Sequence, residues 1–96
     1  MVYTLPDGTT VEYRVLTTTA IAGAVVANTD DTKMFAAVIR LAVATPENVL
    51  ERLAGSPDPV GQTALLGTDI ILRSLNAALK TDVQNPRRWP ALWNRR

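Results

Sequence analysis

From Met34 to Ala44 the chain reads MFAAVIRLAVA, eleven residues of which only Arg40 is polar. Met34, Val38 and Leu41 fall at i, i+4 and i+7, and Phe35, Ile39 and Ala42 trace a second stripe beside them. Both stripes suit a helix, and together they are too wide for a helix covered on one side only. This segment, expected from about Asp31 to Ala44, should be a central helix flanked by other elements. The rest of the chain is then read as what covers it.

Ninety-six residues make one domain with a single modest core. Aromatic residues are only 5% against 47% apolar overall, so Ala, Val, Leu and Ile must do most of the packing. Expected helix contacts are therefore close ones through alanine. Cysteine and histidine are both absent, which removes disulfides, thiolate metal sites, the commonest general base and the commonest metal ligand. No apolar run approaches the roughly 20 residues that span a bilayer, and Met1 leads into VYTLPDG rather than a basic and then apolar leader. The expectation is a protein that stays in the cytosol where it is made.

The N-terminal segment predicts a β-hairpin. Val2–Leu5 and Thr9–Leu16 flank Pro6-Asp7-Gly8, where Asp-Gly supplies the turn and glycine is free to take positive φ. Tyr3, Leu5, Val11, Tyr13 and Val15 should share a face that lies on the helices, because a two-stranded hairpin is marginal alone. Glu12 and Arg14 should face outward. Thr17-Thr18-Thr19 offers hydroxyl caps for a short helix through AIAGAVVA, although Gly23 weakens it and Val25-Val26 would also suit a strand. Thr45-Pro46-Glu47 then restarts the chain as a short helix to Ala54, with Val49, Leu50 and Leu53 inward and Gly55 as its left-handed stop. Ser56-Pro57-Asp58-Pro59 opens a last long helix, Val60–Lys80. Its apolar face is broad (Leu65, Leu66, Ile70, Ile71, Leu72, Leu75, Ala78, Leu79), and Gly67 is a candidate kink.

The expected fold is therefore α+β, an N-terminal β-hairpin packed on three or four helices. Residues 1–80 form the body, and 81–96 an extended C-terminal arm rich in Arg and Trp.

Candidates for chemistry are few. Scattered Asp, Glu, Ser, Tyr and Lys lack the spacing of an acid, base, nucleophile or metal set, so the expectation is a non-enzymatic protein without cofactor or metal. Asp30-Asp31 sits where a helix wants its cap, and capping is the expected role. Arg40 should snorkel out, pair with Glu47 or Asp69, or point at a partner.

The arm is the strongest sequence candidate for a binding site. Residues 1–86 carry six basic and nine acidic side chains, net −3, whereas Arg87, Arg88, Arg95 and Arg96 add +4 with no acid among them. Trp89 and Trp93 interleave with those arginines, a combination that suits a protein interface or a nucleic-acid backbone. Protein docking by Arg87, Arg88, Trp89, Trp93, Arg95 and Arg96 is the leading expectation. The alternatives are Trp89 and Trp93 folding back onto the body, and nucleic-acid contact, disfavoured by the acidic body.

The order of segments, DGTTVEYRVL, a threonine-capped stretch, the central helix, PENVLERLAG and then LLGTDIILRSLNAAL, resembles the tail assembly chaperones of long-tailed bacteriophages over about residues 3–80. That resemblance implies a small non-enzymatic protein in the cytoplasm of the host bacterium. Its partners would be tail-tube and tape-measure proteins, kept soluble during assembly. It carries over no individual site residue, and the Arg/Trp arm is not part of the pattern. The alternative is a permanent virion subunit, a connector, baseplate or capsid-decorating protein anchored by its arm. A small nucleic-acid-binding or host-inhibiting protein is a third reading, and a homo-oligomer is compatible with any of them.

Overall fold

The computed structural model of the chain describes residues 1–84. Two short strands, β1 (Val2–Thr4) and β2 (Thr10–Glu12), are followed by four helices: α1 (Thr18–Ala27), α2 (Asp31–Ala42), α3 (Pro46–Ala54) and α4 (Pro59–Gln84). The class is α+β, as the alternation and helical periods indicate.

The hairpin forms where Asp7-Gly8 demands it. β1 and β2 pair antiparallel with Tyr3 opposite Val11, and Gly8 takes the turn at φ +90°, a region where a side chain would be strained. Asp7 Oδ1 accepts from the Thr9 backbone N–H at 3.0 Å and from the Thr9 hydroxyl at 2.6 Å, which holds the Asp7 carboxyl below its usual range. Arg52 of α3 donates to Thr9 Oγ1 at 2.9 Å and so ties the turn to the helices.

Leu5, Val11 and Tyr13 face the core as expected, but Val15 does not: it is exposed, and Leu16 is buried in its place. Strand pairing ends at Glu12, with one further bridge between Tyr13 and Val43. Beyond it the chain no longer follows the two-residue alternation that placed Val15 inward. The Leu16 backbone N–H turns in to donate to the buried Ser74 hydroxyl of α4 at 2.9 Å.

The caps lie where threonine and aspartate supply them. Thr17 Oγ1 accepts from Ala20 N at 3.1 Å to start α1, and Asp30 Oδ1 accepts from Thr32 N at 2.8 Å to start α2. Asp30 is thus a cap. The expected end of α2 at Ala44 is corrected to Ala42. Val43 is extended and bridges Tyr13, and the backbone N–H of Arg14 donates to Ala42 O at 2.9 Å. Pro46 disfavours helical backbone at Thr45, so the chain leaves α2 early and restarts as α3. Thr45 occupies the cap position without a side-chain bond to the helix, and Gly55 is at φ −83°, so the left-handed stop expected there is absent.

α2 is central. Val38, Ile39 and Ala42 are buried, and α1, α3 and α4 all pack on it. Leu41, expected in the buried stripe, is 41% exposed, because the partners cover the Val38–Ile39–Ala42 side and leave the Arg40–Leu41 side open to solvent. Arg40 lies 3.5 Å from Glu47 Oε1, one of the two acids expected for it. An exposed pair of this kind adds little to stability.

α4 runs through the expected boundary at Thr81 to Gln84. Gly67, read as a kink, has another use: a methyl group there would come within 2.9 Å of Phe35 Cβ and Cγ on α2. Glycine lets the two longest helices meet at this level. One core joins all elements, with Leu5, Val11 and Tyr13 from the hairpin side, Ile21 and Ala24 from α1, Val49 and Leu53 from α3, and Leu66 and Ile70 from α4.

Two of the glycines within helices, Gly67 and Gly23, should respond to alanine with opposite signs. Gly67→Ala gains helix propensity but drives a methyl into Phe35, whose Cβ cannot move without its backbone, so a net loss of about 1–3 kcal/mol is expected in urea unfolding. At Gly23, in α1, nothing lies within 4 Å of an added Cβ, and Gly23→Ala should gain about 0.5–1 kcal/mol.

Candidate protein-docking surface

α4 is apolar on two opposite sides. Its inner side carries Thr63, Leu66, Gly67, Ile70 and Ser74, with Leu66 and Ile70 fully buried. Two hydroxyls sit in this face without penalty: Thr63 Oγ1 donates to Pro59 O at 2.8 Å, and Ser74 Oγ accepts from Leu16 N. The outer side carries Leu65, Leu72, Leu75 and Leu79, exposed by 56, 56, 38 and 61%. At about 100° per residue the outer leucines lie roughly opposite Leu66 and Ile70. The broad face expected from the sequence is therefore two faces, one spent on the core and one turned to solvent.

The orientation is set by polar contacts from the hairpin. Tyr13, buried at 4% exposure, donates its hydroxyl to Asp69 Oδ2 at 2.5 Å, and Arg73 Nε lies 3.3 Å from Asp69 Oδ1. Arg73 Nη1 also donates to Val2 O at 3.4 Å. These bonds hold the flank of α4 bearing Asp69 and Arg73 against the hairpin, as Leu16 N on Ser74 holds the inner side. The leucine stripe is left uncovered. Burial first, and then the hydrogen bond to the Asp69 carboxylate, push the Tyr13 phenol well above its ordinary 10.0.

A second apolar area belongs to α1, TTAIAGAVVA, which has no charged residue. Ile21 and Ala24 are buried while Val25 and Val26 face outward, Val26 at 84% exposure. An open groove between the start of β1, the end of β2 and the α2–α3 junction is lined by Met1, Glu12, Arg14, Arg40, Leu41 and Val43. Its two arginines belong to contacts already formed, Arg14 Nε to Leu41 O at 3.0 Å and Arg40 to Glu47.

The residues singled out from sequence, Arg87, Arg88, Trp89, Trp93, Arg95 and Arg96, lie outside the described residues. In the sequence the outward leucines fall with Leu66 and Ile70 in one broad apolar face. The signal that separates them is their spacing, since Leu65, Leu72 and Leu79 recur every seven residues while Leu66 and Ile70 follow the other stripe. The Tyr13–Asp69 bond joins residues 56 apart and has no signature in the sequence. Among the described residues no helix is long and apolar enough to cross a membrane. No protein-family model, curated protein or solved structure matches this chain.

The Tyr13 latch makes a pH prediction. A phenol whose folded value is raised stabilises the fold in full below pH 10 and loses that contribution as pH climbs past 10, where the unfolded chain ionises and the folded one resists. Tyr13→Phe removes a partly charged hydrogen bond and should cost about 1–3 kcal/mol at pH 7. The gap between wild type and variant in urea titrations should then narrow above pH 10. A gap that stayed constant through pH 11 would contradict the assignment.

Proposed function

We propose that this chain is a non-enzymatic protein-binding domain of phage morphogenesis, of the tail assembly chaperone kind, whose helical body holds apolar segments of tail-tube or tape-measure proteins. The observation that supports this reading is the outward leucine stripe of α4, opposite the core and flanked by the hairpin latch. Single exposed leucines are ordinary, whereas several in line on one helix form the contiguous apolar surface by which proteins recognise one another. α1 adds a second apolar area through Val25 and Val26. A protein that keeps unassembled subunits soluble needs such surface on a scaffold that is already folded without it. The resemblance over residues 3–80 points to the same body of the protein rather than to the Arg/Trp arm.

The test is a pull-down from phage-infected cells with three baits: the full chain, a chain ending at Gln84, and the full chain carrying Leu72→Lys and Leu79→Lys. Tube or tape-measure proteins should be captured by the first two baits and lost from the third, and purified mature particles should lack the protein. Capture that requires residues 85–96, together with fixed copies of the protein in mature particles, would replace this reading with that of a permanent virion subunit.

A further inference from the structure

The outer face of α4 has the repeat of a helix-pairing seam. Leu65, Leu72 and Leu79 are seven residues apart, and Thr68 and Leu75 each follow a leucine by three, the a and d positions of successive heptads. No charged residue falls at these positions between Leu65 and Leu79. On one flank Asp69 and Arg73 are engaged with each other and with Tyr13 and Val2. On the other flank stand Ala64, Ile71 and Ala78, two of them small enough for a second helix backbone to come close. A seven-residue repeat keeps its knobs in line only along another helix of the same repeat, and the chain that certainly carries that repeat is this one.

The geometry points to a second copy of this chain as the occupant of the seam, its α4 lying antiparallel to the first. Paired in that way about a two-fold axis between Leu72 and Leu75, each Leu72 meets Leu75 of the second copy, and each Leu79 lies over Thr68 of the second copy, where a short side chain leaves room. The helix dipoles select the direction. Antiparallel pairing brings the C-terminal end of each α4 alongside the N-terminal end of the other, so that the two helix dipoles oppose and attract. Parallel pairing would set the two dipoles side by side with like ends together.

The seam is short. From Thr68 to Leu79, the stretch that pairs with itself in this register, it runs about 17 Å, so a dimer held by it alone falls near or below the roughly 1,200 Å² at which stable interfaces begin. The dimer is therefore a reversible one with a dissociation constant on the order of micromolar. It uses the same face as the function proposed above but needs no phage partner, so it stands or falls separately from that reading.

The test is analytical ultracentrifugation of the purified full chain, without partners, from roughly 1 to 200 μM, a range that brackets a micromolar constant. The weight-average mass should rise from that of one 10.4 kDa chain toward that of two. Leu72→Lys and the milder Leu72→Gln, both at a solvent-facing position, should keep the helical circular dichroism and weaken association by about tenfold or more. Val26→Lys, at the most exposed apolar residue of α1, should leave it unchanged. Orientation is read by cross-linking, which the absence of native cysteine makes clean. Leu79→Cys chains mixed with Thr68→Cys chains should form mixed disulfides in preference to Leu79→Cys pairs. A monomer across the whole range, a dimer indifferent to both Leu72 variants, or preferred Leu79→Cys self-pairing would each overturn the proposal.

Discussion

The close approach of α2 and α4 at Gly67 is the constraint on which the remaining packing depends. Phe35 lies where any side chain on Gly67 would have to go, so the two helices meet at a distance only glycine permits. With the helices this close, small and branched residues suffice to fill the space between the layers. Val38, Ile39 and Ala42 on α2 and Leu66 and Ile70 on α4 form a core with few aromatic rings. α1, α3 and the hairpin then lean on an existing pair, each contributing two or three buried side chains. A bulkier residue at position 67 would loosen the site where those other elements find their support.

The hairpin, marginal as a two-stranded unit, is held by a different kind of interaction. Its turn is fastened to α3 by Arg52, its middle by the burial of Val11, and its exit by the Tyr13–Asp69 and Leu16–Ser74 bonds to α4. The last two contacts cross more than fifty residues of sequence, and each satisfies a group that burial would otherwise leave unpaired. They also fix the rotation of α4 about its own axis. Turning that helix by one residue, about 100°, would pull Ser74 from the Leu16 N–H and Asp69 from Tyr13, so apolar content alone does not decide which face goes inward. Polar bonds decide it, and by doing so they decide which leucines remain outside.

That division explains what was legible in the sequence. Most signals that act within a few residues read correctly: Asp7-Gly8 as a turn, Thr17 and Asp30 as caps, Pro46 at the start of a helix, and Glu47 as one of the acids offered to Arg40. Gly55, however, does not take its left-handed stop, and Thr45 makes no side-chain cap bond. Signals that depend on which neighbour arrives misled. Val15 continued a two-residue alternation that the chain abandons after Tyr13, Leu41 belonged to a stripe wider than its partners cover, and Gly67 served contact rather than curvature. The candidate surface shows the same limit. An apolar helix declares how many faces it has, whereas the choice of inner face needed Ser74 and Asp69 to meet residues more than fifty positions away. The Arg/Trp segment stood out because its composition is unusual, and composition says nothing of where a segment lies.

The outer leucines of α4 are difficult to account for as stabilising elements of the isolated chain. Side chains left more than half exposed gain little of the roughly 1.5–3 kcal/mol that full burial of a leucine brings, and helix propensity is nearly as well served by Lys, Gln or Glu at the same positions. In the monomer such polar residues would fold about as well and dissolve better. What leucine alone supplies at positions 65, 72 and 79 is a line of apolar knobs on a rigid helix whose rotation the Tyr13 latch has fixed. A pre-formed line of this kind loses little conformational freedom on being covered, which favours association even where the buried area is small. The face offered to a second copy or to another protein is organised by the same contacts that hold the fold together.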